Sequence, residues 1–359
     1  MIKIAHCISD TNFGGAGRVL LHYCKERDQK NFELTVFLPK GSALLPPLRE
    51  TGVKIIELEG LYDRSLHWKD IGLLRRALKG FDLVHAHGAL SARIAARLAG
   101  VKVVYTRHSI FELKKISRFA PVRWLKGRID RLFADGIIAV SPAAKELLAQ
   151  SGTPSSMVRV IFNGVPPLKR EAPIYREEGF MVGIAARLTK VKGHEDLLRA
   201  FAVLPEGIKL LIAGEGPEEE TLRALSKELG LSDRVRFLGF TQEIAPLMSS
   251  LDLQVNASFG TEATSMALLE GFSLGVPAVV TDFGGNPYVV EAGISGEIVA
   301  KRNPAAMAEA ILRIAKDSGY HQRLQQGAAD VYSKKFRADR MVRETESYYR
   351  EVLANEKKV

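Results

Sequence analysis

The stretch GFMVGIAARLTKVKG, residues 179–193, joins an apolar run of strand length to a basic segment that ends in glycine. Arg187 and Lys192 follow the apolar run and stand five positions apart. Open α/β sheets bind ligands outside the carboxyl ends of their strands. The stretch therefore predicts a buried parallel strand whose following loop presents two cations to a ligand.

The same sequence pattern continues on both sides of this stretch. Short β-branched runs alternate with segments of helical periodicity. Such alternation predicts parallel sheets covered by helices, and we expect two Rossmann-like α/β domains. The runs that we interpret as the other strands are IKIAHCI, LTVFLP, VKIIEL, DLVHAHG, KVVYTRH and GIIAVS in the first half, and IKLLIAGEG, RVRFLGF, LDLQVNAS, PAVVTD and GEIVA in the second.

A chain of 359 residues is too long for one ordinary core, and two domains are expected. The proline-containing segment GVPPLKREAPIYREEG breaks both periodicities and is interpreted as the linker. We expect domains at 1–167 and 174–335, followed by a helical segment at 336–359.

Charge is unevenly distributed along the chain. Residues 1–172 hold 28 lysines and arginines against 15 acids, whereas residues 173–359 hold 23 against 26. A basic first half attracts anions, and composition alone does not choose between nucleic acid, a phosphorylated substrate and an acidic membrane surface.

Cys7 and Cys24 are the only cysteines, and both lie in apolar settings that favour reduced core residues. The N-terminus lacks a long apolar signal region, and no later stretch approaches the roughly 18 apolar residues that a membrane span needs. We expect a cytoplasmic protein, or one peripheral to the inner face of the cell membrane.

Glu262 and Glu270 stand eight positions apart in TEATSMALLEGFSLGVP and are predicted to open a helix, over which they would be separated by roughly 12 Å. Carboxylates accept hydrogen bonds from sugar and ribose hydroxyls, while Arg187 and Lys192 would neutralise a diphosphate between them. A solvated helix face is the alternative interpretation of the glutamate pair.

Two glycine-rich loops compete for a phosphate. In TNFGGAGRV, Gly14 and Gly15 follow the first strand and open a helix, which suits an anion or a plain tight turn. In LLIAGEGPEEETL, Glu219 replaces the third glycine of a dinucleotide fingerprint, and three acids crowd the helix start. A nicotinamide cofactor is therefore not expected.

Histidines cluster at two strand ends. His85 and His87 share one face of a strand, and Arg107 and His108 end the next. The cluster lacks cysteine and H-x-x-x-H spacing, so packing or hydrogen bonding is favoured over a metal. We expect substrate contacts, with His108 donating to a sugar hydroxyl or to a developing charge.

Residues 111–133 carry seven Lys or Arg against two acids, with aromatic residues interleaved. The segment suits anionic lipid. Alternatively, Val122, Leu125, Ile129 and Leu132 form a stripe that packs on the sheet and leaves a solvated basic face. Nucleic acid is not expected, because no recognisable binding platform is present.

Taken together, these motifs resemble the family-4 retaining glycosyltransferases of GT-B fold along almost the whole chain. The resemblance rests on the paired glycines, on NG at 163–164, on ARLTKVKG, on two glutamates separated by seven residues, and on LGVPAVVTDFGGNPYVV and GEIV. It implies two Rossmann-like domains that face each other across a cleft, with acceptor bound by the first, nucleotide-sugar by the second, and a final helix that crosses back.

The resemblance also assigns roles by position. Arg187, Lys192, Glu262 and His108 are the implied catalytic residues. The implied donor-binding residues are Gly14, Gly15, Leu238, Phe240, Ser265, Met266 and Glu270, and the candidates on the acceptor side are Arg18, His87 and Arg107.

The implied function is metal-independent, retaining transfer of a hexosyl unit from a nucleoside diphosphate sugar to a glycan or lipid-linked acceptor. Cell-surface polysaccharide or glycolipid synthesis is the implied setting, and no cofactor is expected. The alternatives are a nucleotide-sugar epimerase of similar fold and a non-enzymatic protein that binds anions or nucleic acid.

This sequence departs from the family at three places. Ala263 and Ser265 stand where glycines are frequent, and Gly17 stands where an acid often precedes the arginine. Ala263 and Ser265 leave backbone approach less free and indicate a different donor-sugar pocket, whereas Gly17 means that the family pattern does not predict the acceptor preference.

Overall fold

The computed structural model of the chain describes residues 1–59, 66–110, 120–241 and 243–355. These residues form two compact units. The first unit holds the described residues of 1–109, 113–166 and 338–359; the second holds those of 167–337 together with Ile110. Each unit is an α/β domain with one parallel sheet, which confirms the prediction of two Rossmann-like domains.

The first unit is built on seven parallel strands in the order β3-β2-β1-β4-β5-β6-β7. The order reverses between β1 and β4, where His6 lies beside His85 in the register. The strands are β1 (Ile2–Ile8), β2 (Phe32–Pro39), β3 (Lys54–Leu58), β4 (Leu83–His87), β5 (Lys102–Arg107), β6 (Gly136–Ala139) and β7 (Val158–Val160).

Seven helices of the described residues belong to this unit. They are α1 (Gly15–Glu26), α2 (Leu45–Arg49), α3 (Trp68–Ala77), α4 (Leu90–Leu98), α5 (Ala120–Phe133), α6 (Pro142–Gln150) and, from the far end of the chain, α14 (Ala338–Ala354). Helix α14 packs on α1 and buries Tyr349 completely, so the last segment of the chain completes the core of the first unit.

The second unit has six parallel strands in the order β10-β9-β8-β11-β12-β13, and its order reverses between β8 and β11. Its strands are β8 (Phe180–Ala185), β9 (Ile208–Ala213), β10 (Val235–Gly239), β11 (Leu253–Asn256), β12 (Ala278–Thr281) and β13 (Gly296–Val299). Its helices are α7 (His194–Phe201), α8 (Glu219–Glu228), α9 (Ile244–Ser249), α10 (Met266–Ser273), α11 (Asn286–Val289), α12 (Pro304–Lys316) and α13 (Ser318–Lys335).

Both faces of the second sheet are buried, because side chains alternate across it. Leu210 and Ile212 of β9 join a core with α7, α8 and α12, whereas Leu211 and Ala213 join a smaller one with α9. Strands that are covered on both faces have near-continuous apolar sequences, which is why these strands could be predicted from the sequence.

Every strand predicted from the sequence is present. The structure adds β7, a three-residue edge strand that pairs with β6 shortly before Asn163 and Gly164. Three residues are too few to establish a period of two, so this strand carried no sequence signal.

Cys7 and Cys24 are buried and unpaired, as predicted, and burial raises the pKa of the Cys24 thiol to about 12. Among the described residues, no helix combines the length and the apolarity that crossing a membrane requires.

Candidate active site

The loops after β8 and β11 meet where the strand order of the second sheet reverses, the usual ligand position in open α/β sheets. Arg187 lies two residues beyond β8, and Lys192 ends the short 3-10 turn Lys190–Lys192. Glu262 lies in the loop after β11, and Glu270 lies in α10. The structure thus places the four charged residues predicted from the sequence on two adjoining loops and one helix.

Backbone contacts fix these two loops against each other. The Phe259 amide donates to the Val191 carbonyl at 2.9 Å. Gly193 has φ +74°, and a Cβ at this position would lie 2.1 Å from the Ala257 carbonyl oxygen. Only glycine fits such a left-handed residue in close contact with a neighbouring backbone, so Gly193 positions Lys192 beside the second loop.

Lys192 and Glu262 form a largely buried ion pair, with 2.9 Å between Nζ and Oε2. Lys192 Nζ also donates to the Thr261 carbonyl at 3.1 Å. Asn256 Nδ2 and Ser258 Oγ add hydrogen bonds of 3.0 and 3.3 Å to the same glutamate oxygen. All three donors reach Oε2; within the described residues none reaches Oε1, so one carboxylate oxygen is anchored and the other can accept from a ligand.

A second layer of buried polar residues supports this pair. Asn286 Nδ2 bonds Asn256 Oδ1 at 3.4 Å and Thr281 Oγ1 at 3.2 Å, and Thr281 donates to the Ser258 carbonyl. These residues were not predicted from the sequence, although Asn256 ends an apolar strand and Asn286 follows paired glycines. A polar side chain at the end of a buried strand was the available signal.

One detail of the predicted helix is wrong. Helix α10 begins at Met266, with Ser265 as its N-cap accepting from the Leu268 amide, so Glu262 lies in the loop before it. The helical rise of roughly 12 Å between the glutamates therefore does not apply. The TEATS segment instead packs on the paired glycines, since a Cβ at Gly285 would lie 1.8 Å from the Ala263 carbonyl oxygen.

Arg187 and Glu270 differ in accessibility. Arg187 is exposed, and the described residues give it no ion pair, whereas the side chain of Glu270 is only 2% exposed. Together with the Lys192–Glu262 pair, these residues provide an accessible cation, a paired cation and two enclosed carboxylates.

The glycines of LLIAGEG are explained by packing. A Cβ at Gly214 would lie 2.0 Å from the Ala186 carbonyl oxygen, and one at Gly216 would lie 2.3 Å from that of Leu188. These glycines allow the close backbone contacts that position the loop carrying Arg187, so packing accounts for them.

Leu238 and Phe240, the candidates for contact with a nucleobase, lie at the end of β10. Phe240 is 58% exposed and its amide donates to Glu215 at 3.4 Å, while Leu238 is partly buried. A concavity of about 790 Å³ beside α13 contains none of the predicted site residues.

In the first unit, Gly14 and Gly15 form the N-cap and first residue of α1. Both are exposed, and a Cβ at either would meet no neighbour within 4 Å. Packing therefore does not require glycine there, which favours the interpretation that a ligand approaches this helix N-terminus. Gly17 is different, since a Cβ would lie 2.5 Å from Leu44, and this contact explains why no acid precedes Arg18.

His87 and His108 are hydrogen-bonded to each other, with 2.8 Å between His87 Nδ1 and His108 Nε2. His87 Nε2 contacts His6 Nδ1 at 3.0 Å, so both ring nitrogens of His87 are engaged. Burial lowers the pKa of His108 to about 4, and the ring is neutral near pH 7. The Arg107 side chain lies against its own segment, since its Nε donates to the Ser109 carbonyl at 2.9 Å.

Helix α5 covers the described part of the basic segment 111–133; residues 111–119 lie outside the described residues. Asp130 anchors it through Arg93 at 2.9 Å and Thr153 at 2.6 Å. The predicted stripe does not pack on the sheet, because Val122, Leu125 and Leu132 are exposed, as is Trp124 at 65%. The inward face of α5 is instead formed around Gly127 and Asp130.

The two halves of the chain match two family models, Glycosyltransferase Family 4 over residues 13–167 and Glycosyl transferases group 1 over residues 167–331. A glycosyltransferase of Methanocaldococcus jannaschii is 31% identical over 79% of this chain and 78% of its own length. The chain belongs to the family-4 glycosyltransferases of GT-B fold.

Other similar proteins agree with this family. The N-acetyl-alpha-D-glucosaminyl L-malate synthase of Bacillus anthracis is 28% identical over 82% of this chain and 81% of its own length. The structure of HepE from Anabaena, in complex with UDP and glucose, aligns with a TM-score of 0.84 and 23% identity over 97% of this chain and 99% of its own. As a glycosyltransferase of this family, the protein transfers a glycosyl group.

Proposed function

We propose that this glycosyltransferase moves a hexosyl unit from a nucleoside diphosphate sugar to a hydroxyl of a glycan or lipid-linked acceptor, with retention of anomeric configuration, in cell-surface polysaccharide or glycolipid synthesis. The observation that carries the proposal is the Lys192–Glu262 pair beside exposed Arg187 at the strand-order reversal of the second sheet. Cations and carboxylates in this arrangement suit a ligand that is anionic in its middle and rich in hydroxyls at its ends.

The two cations would act on the leaving diphosphate. Arg187 is accessible and can bind phosphate oxygens in a bidentate manner, while Lys192 is held in place by Thr261 and Glu262 before substrate arrives. A preorganised cation stabilises charge that grows in the transition state. Since these two cations would supply the charge, we propose that catalysis does not depend on a metal.

The two carboxylates would hold the sugar and the ribose. Oε2 of Glu262 is anchored by three donors, so Oε1 is oriented to accept from a donor-sugar hydroxyl. Glu270 lies one helical turn beyond the N-terminus of α10 and would accept from the ribose hydroxyls, while the amides near Ser265 and Met266 would face the sugar or phosphate. The departing phosphate oxygen would take the proton of the acceptor hydroxyl.

The donor can be identified by thermal shift against a panel of nucleoside diphosphate sugars, because a ligand that binds only the folded form raises its stability. UDP-hexoses head the panel, since the HepE structures contain UDP, glucose or UDP-glucose. We expect one donor to raise the melting temperature of the wild-type protein and not that of Arg187→Ala. Stabilisation by random oligonucleotides, without stabilisation by any sugar nucleotide, would contradict the proposal.

Incubation of the stabilising donor without acceptor separates transfer from isomerisation. A transferase releases at most slow hydrolysis products, whereas an epimerase returns an isomerised sugar nucleotide. Proton NMR of the product formed with acceptor then reports the anomeric configuration, and inversion would overturn the retaining assignment.

We further propose that α5 binds the surface of an anionic membrane. Trp124, Leu125 and Leu132 are exposed at 65, 54 and 53%, and Arg128 lies over the Trp124 ring at 5.3 Å. Exposed aromatic and aliphatic side chains interleaved with basic residues suit the boundary between anionic headgroups and acyl chains. The location that follows is the inner face of the cell membrane.

Cosedimentation with vesicles tests this surface. We expect binding to vesicles with anionic lipid, weaker binding to zwitterionic vesicles, and loss of binding in Trp124→Ser. Trp68→Ser is a matched control, because Trp68 is 73% exposed on α3 of the same unit. Equal loss in both variants would show that α5 has no special role.

A further inference from the structure

A continuous chain of hydrogen bonds runs through the core of the first unit and ends at His108. Each link joins side chains, with separations between 2.5 and 3.1 Å. In order, the members are Thr106, His85, Tyr349, His6, His87 and His108. Apart from His108 at the end, which is partly buried, all are at most 5% exposed.

The links give three of the histidines one shared tautomer. His6 Nδ1 faces His87 Nε2, and His87 Nδ1 faces His108 Nε2. A neutral imidazole has one N–H and one bare nitrogen, so each link needs a proton on one side only. If one ring carries its proton on Nε2, the others must as well; otherwise two protons, or two lone pairs, would face each other in the core.

The contacts of Tyr349 select between the two possible directions of proton donation along these hydrogen bonds. Its hydroxyl lies 2.5 Å from His85 Nδ1 and 3.1 Å from His6 Nε2, and it has a single proton to give. Bonds donated by O–H are shorter than bonds donated by N–H. We therefore assign the shorter contact to the hydroxyl donating to His85 Nδ1 and the longer one to His6 Nε2–H donating to the hydroxyl. Because a neutral imidazole carries one N–H, His85 Nε2–H then donates to Thr106 Oγ1 at 2.6 Å.

We propose that Tyr349, His6 and His87 are positioning residues that hold His108 in the Nε2–H tautomer, so that its Nδ1 presents a lone pair to a hydroxyl of the substrate. The proposal rests on the proposed function and on the expectation from the sequence that His108 contacts the transferred sugar. It reverses the direction expected from the sequence, since His108 accepts a hydrogen bond instead of donating one. Among the described residues, none bonds His108 Nδ1.

A metal site is the competing interpretation, because ligand atoms of His6, His85 and His87 all lie within 4.8 Å of one another. Metal-bound imidazoles direct their lone pairs at one point. Here the His85 and His87 rings are stacked, with centroids 4.4 Å apart and planes at 25°, and His6 stacks on His87 at 28°. The His6 and His85 planes are tilted by 53°, but each of these rings stacks on His87. A stacked ring does not direct its lone pair at the same point as its neighbour, which favours the hydrogen-bonded series over a metal site.

The tautomer of each histidine can be determined by long-range proton–nitrogen NMR correlation of protein labelled with nitrogen-15 in histidine. In the ligand-free wild-type protein we expect His6, His87 and His108 to carry their protons on Nε2. This measurement needs no activity, so it decides the tautomer independently of the proposed function. Different tautomers among the three rings, or a shared Nδ1–H, would overturn the proposal.

Tyr349→Phe removes the acceptor of His6 and keeps the packing of the ring. A buried N–H without an acceptor is rarer than a buried nitrogen without a donor, so the three rings should move their protons to Nδ1. His108 would then offer a donor where it had offered an acceptor. We expect kcat to fall by roughly 10-fold to 100-fold, the range found when the partner that orients a functional histidine is removed, with donor KM changed much less.

Tyr348→Phe is the matched control on the same helix. Its hydroxyl accepts from the Ile137 amide at 3.2 Å and donates to the Met157 carbonyl at 3.1 Å, outside the chain. We expect the histidine tautomers and kcat to be unchanged in this variant. Wild-type tautomers in Tyr349→Phe would contradict the proposed series of hydrogen bonds from Tyr349 to His108. Stoichiometric zinc binding that removes the ring protons would contradict it as well.

Discussion

At the residue scale, the site depends on a lysine that is oriented before substrate arrives. Lys192 Nζ is bonded to Glu262 and to the Thr261 carbonyl, so its position is set by the protein and not by the diphosphate. Binding then costs little reorganisation, because the cation already occupies its working place.

Lys192→Ala is expected to lower kcat by roughly 10² to 10³, the scale for losing one partner of transition-state charge. Turnover at saturating donor measures the effect. Lys190→Ala is the control, since Lys190 is an exposed lysine of the same 3-10 turn. Wild-type turnover in Lys192→Ala would show that Lys192 has no role in catalysis.

Gly193→Ala is expected to destabilise the second unit by about 1–3 kcal/mol, because a side chain is strained at φ +74° and its Cβ would lie 2.1 Å from the Ala257 carbonyl oxygen. Urea denaturation measures the change. Gly207→Ala is the control, as it has an ordinary φ and no atom within 4 Å of its added Cβ. Equal stabilities of the two variants would show that the close contact relaxes freely.

The charged residues of the site could be predicted from the sequence, whereas the buried polar residues that hold them in place could not. Arg187, Lys192, Glu262 and Glu270 were predicted because each follows an apolar run. Asn256 and Asn286 were not, since their role arises only when the β11 loop folds against the β12 loop. The contacts of His85 with Tyr349 span 264 residues of chain, a separation that no local pattern records.

At the element scale, strands were predictable and helix starts less so. Buried parallel strands leave continuous apolar runs, whereas the start of α10 depends on the Ser265 cap and on the glycines that pack beneath the TEATS segment. For α5, the basic charge was evident from the sequence. The sequence did not reveal that Gly127 and Asp130 form the inward face, because a small residue and an acid do not look like a buried stripe.

Asp130→Ala is expected to cost about 3–5 kcal/mol, since it leaves the Arg93 guanidinium buried without its carboxylate. The variant should also free α5 from α4. Denaturation in urea gives the loss of stability, and vesicle binding reports whether α5 keeps its surface. Glu195→Ala is the control, because its pair with Arg199 is about half exposed on both sides and contributes little.

At the scale of the whole molecule, the buried histidines make stability depend on pH. Burial is the main cause that lowers the pKa values of His6, His85 and His87, and it lowers that of His108 to about 4. The unfolded chain takes up protons near the ordinary histidine pKa of about 6.5, while the folded protein does not. Stability is therefore fully present above that value and falls as pH drops toward 4.

We expect the free energy of unfolding to be lower near pH 5 than near pH 7, with a slope of at most about 1.4 kcal/mol per pH unit for each histidine that titrates. Burial raises the pKa values of Glu346 and Asp196, which offsets part of the loss because these groups bind protons more readily when folded. Urea denaturation at the two pH values measures the difference. Equal or greater stability near pH 5 would mean that the cluster is charged in the folded state.

The return of α14 to the first unit has a consequence for synthesis on the ribosome. Residues 167–337 of the second unit are translated before α14, whereas the sheet of the first unit awaits Tyr349 and its neighbours in α14. The first unit is thus completed only after the residues of the second unit have been translated. Until then its apolar surface beneath α14 stays open to chaperones and to other nascent chains, and that interval is set by how fast about 170 codons are read.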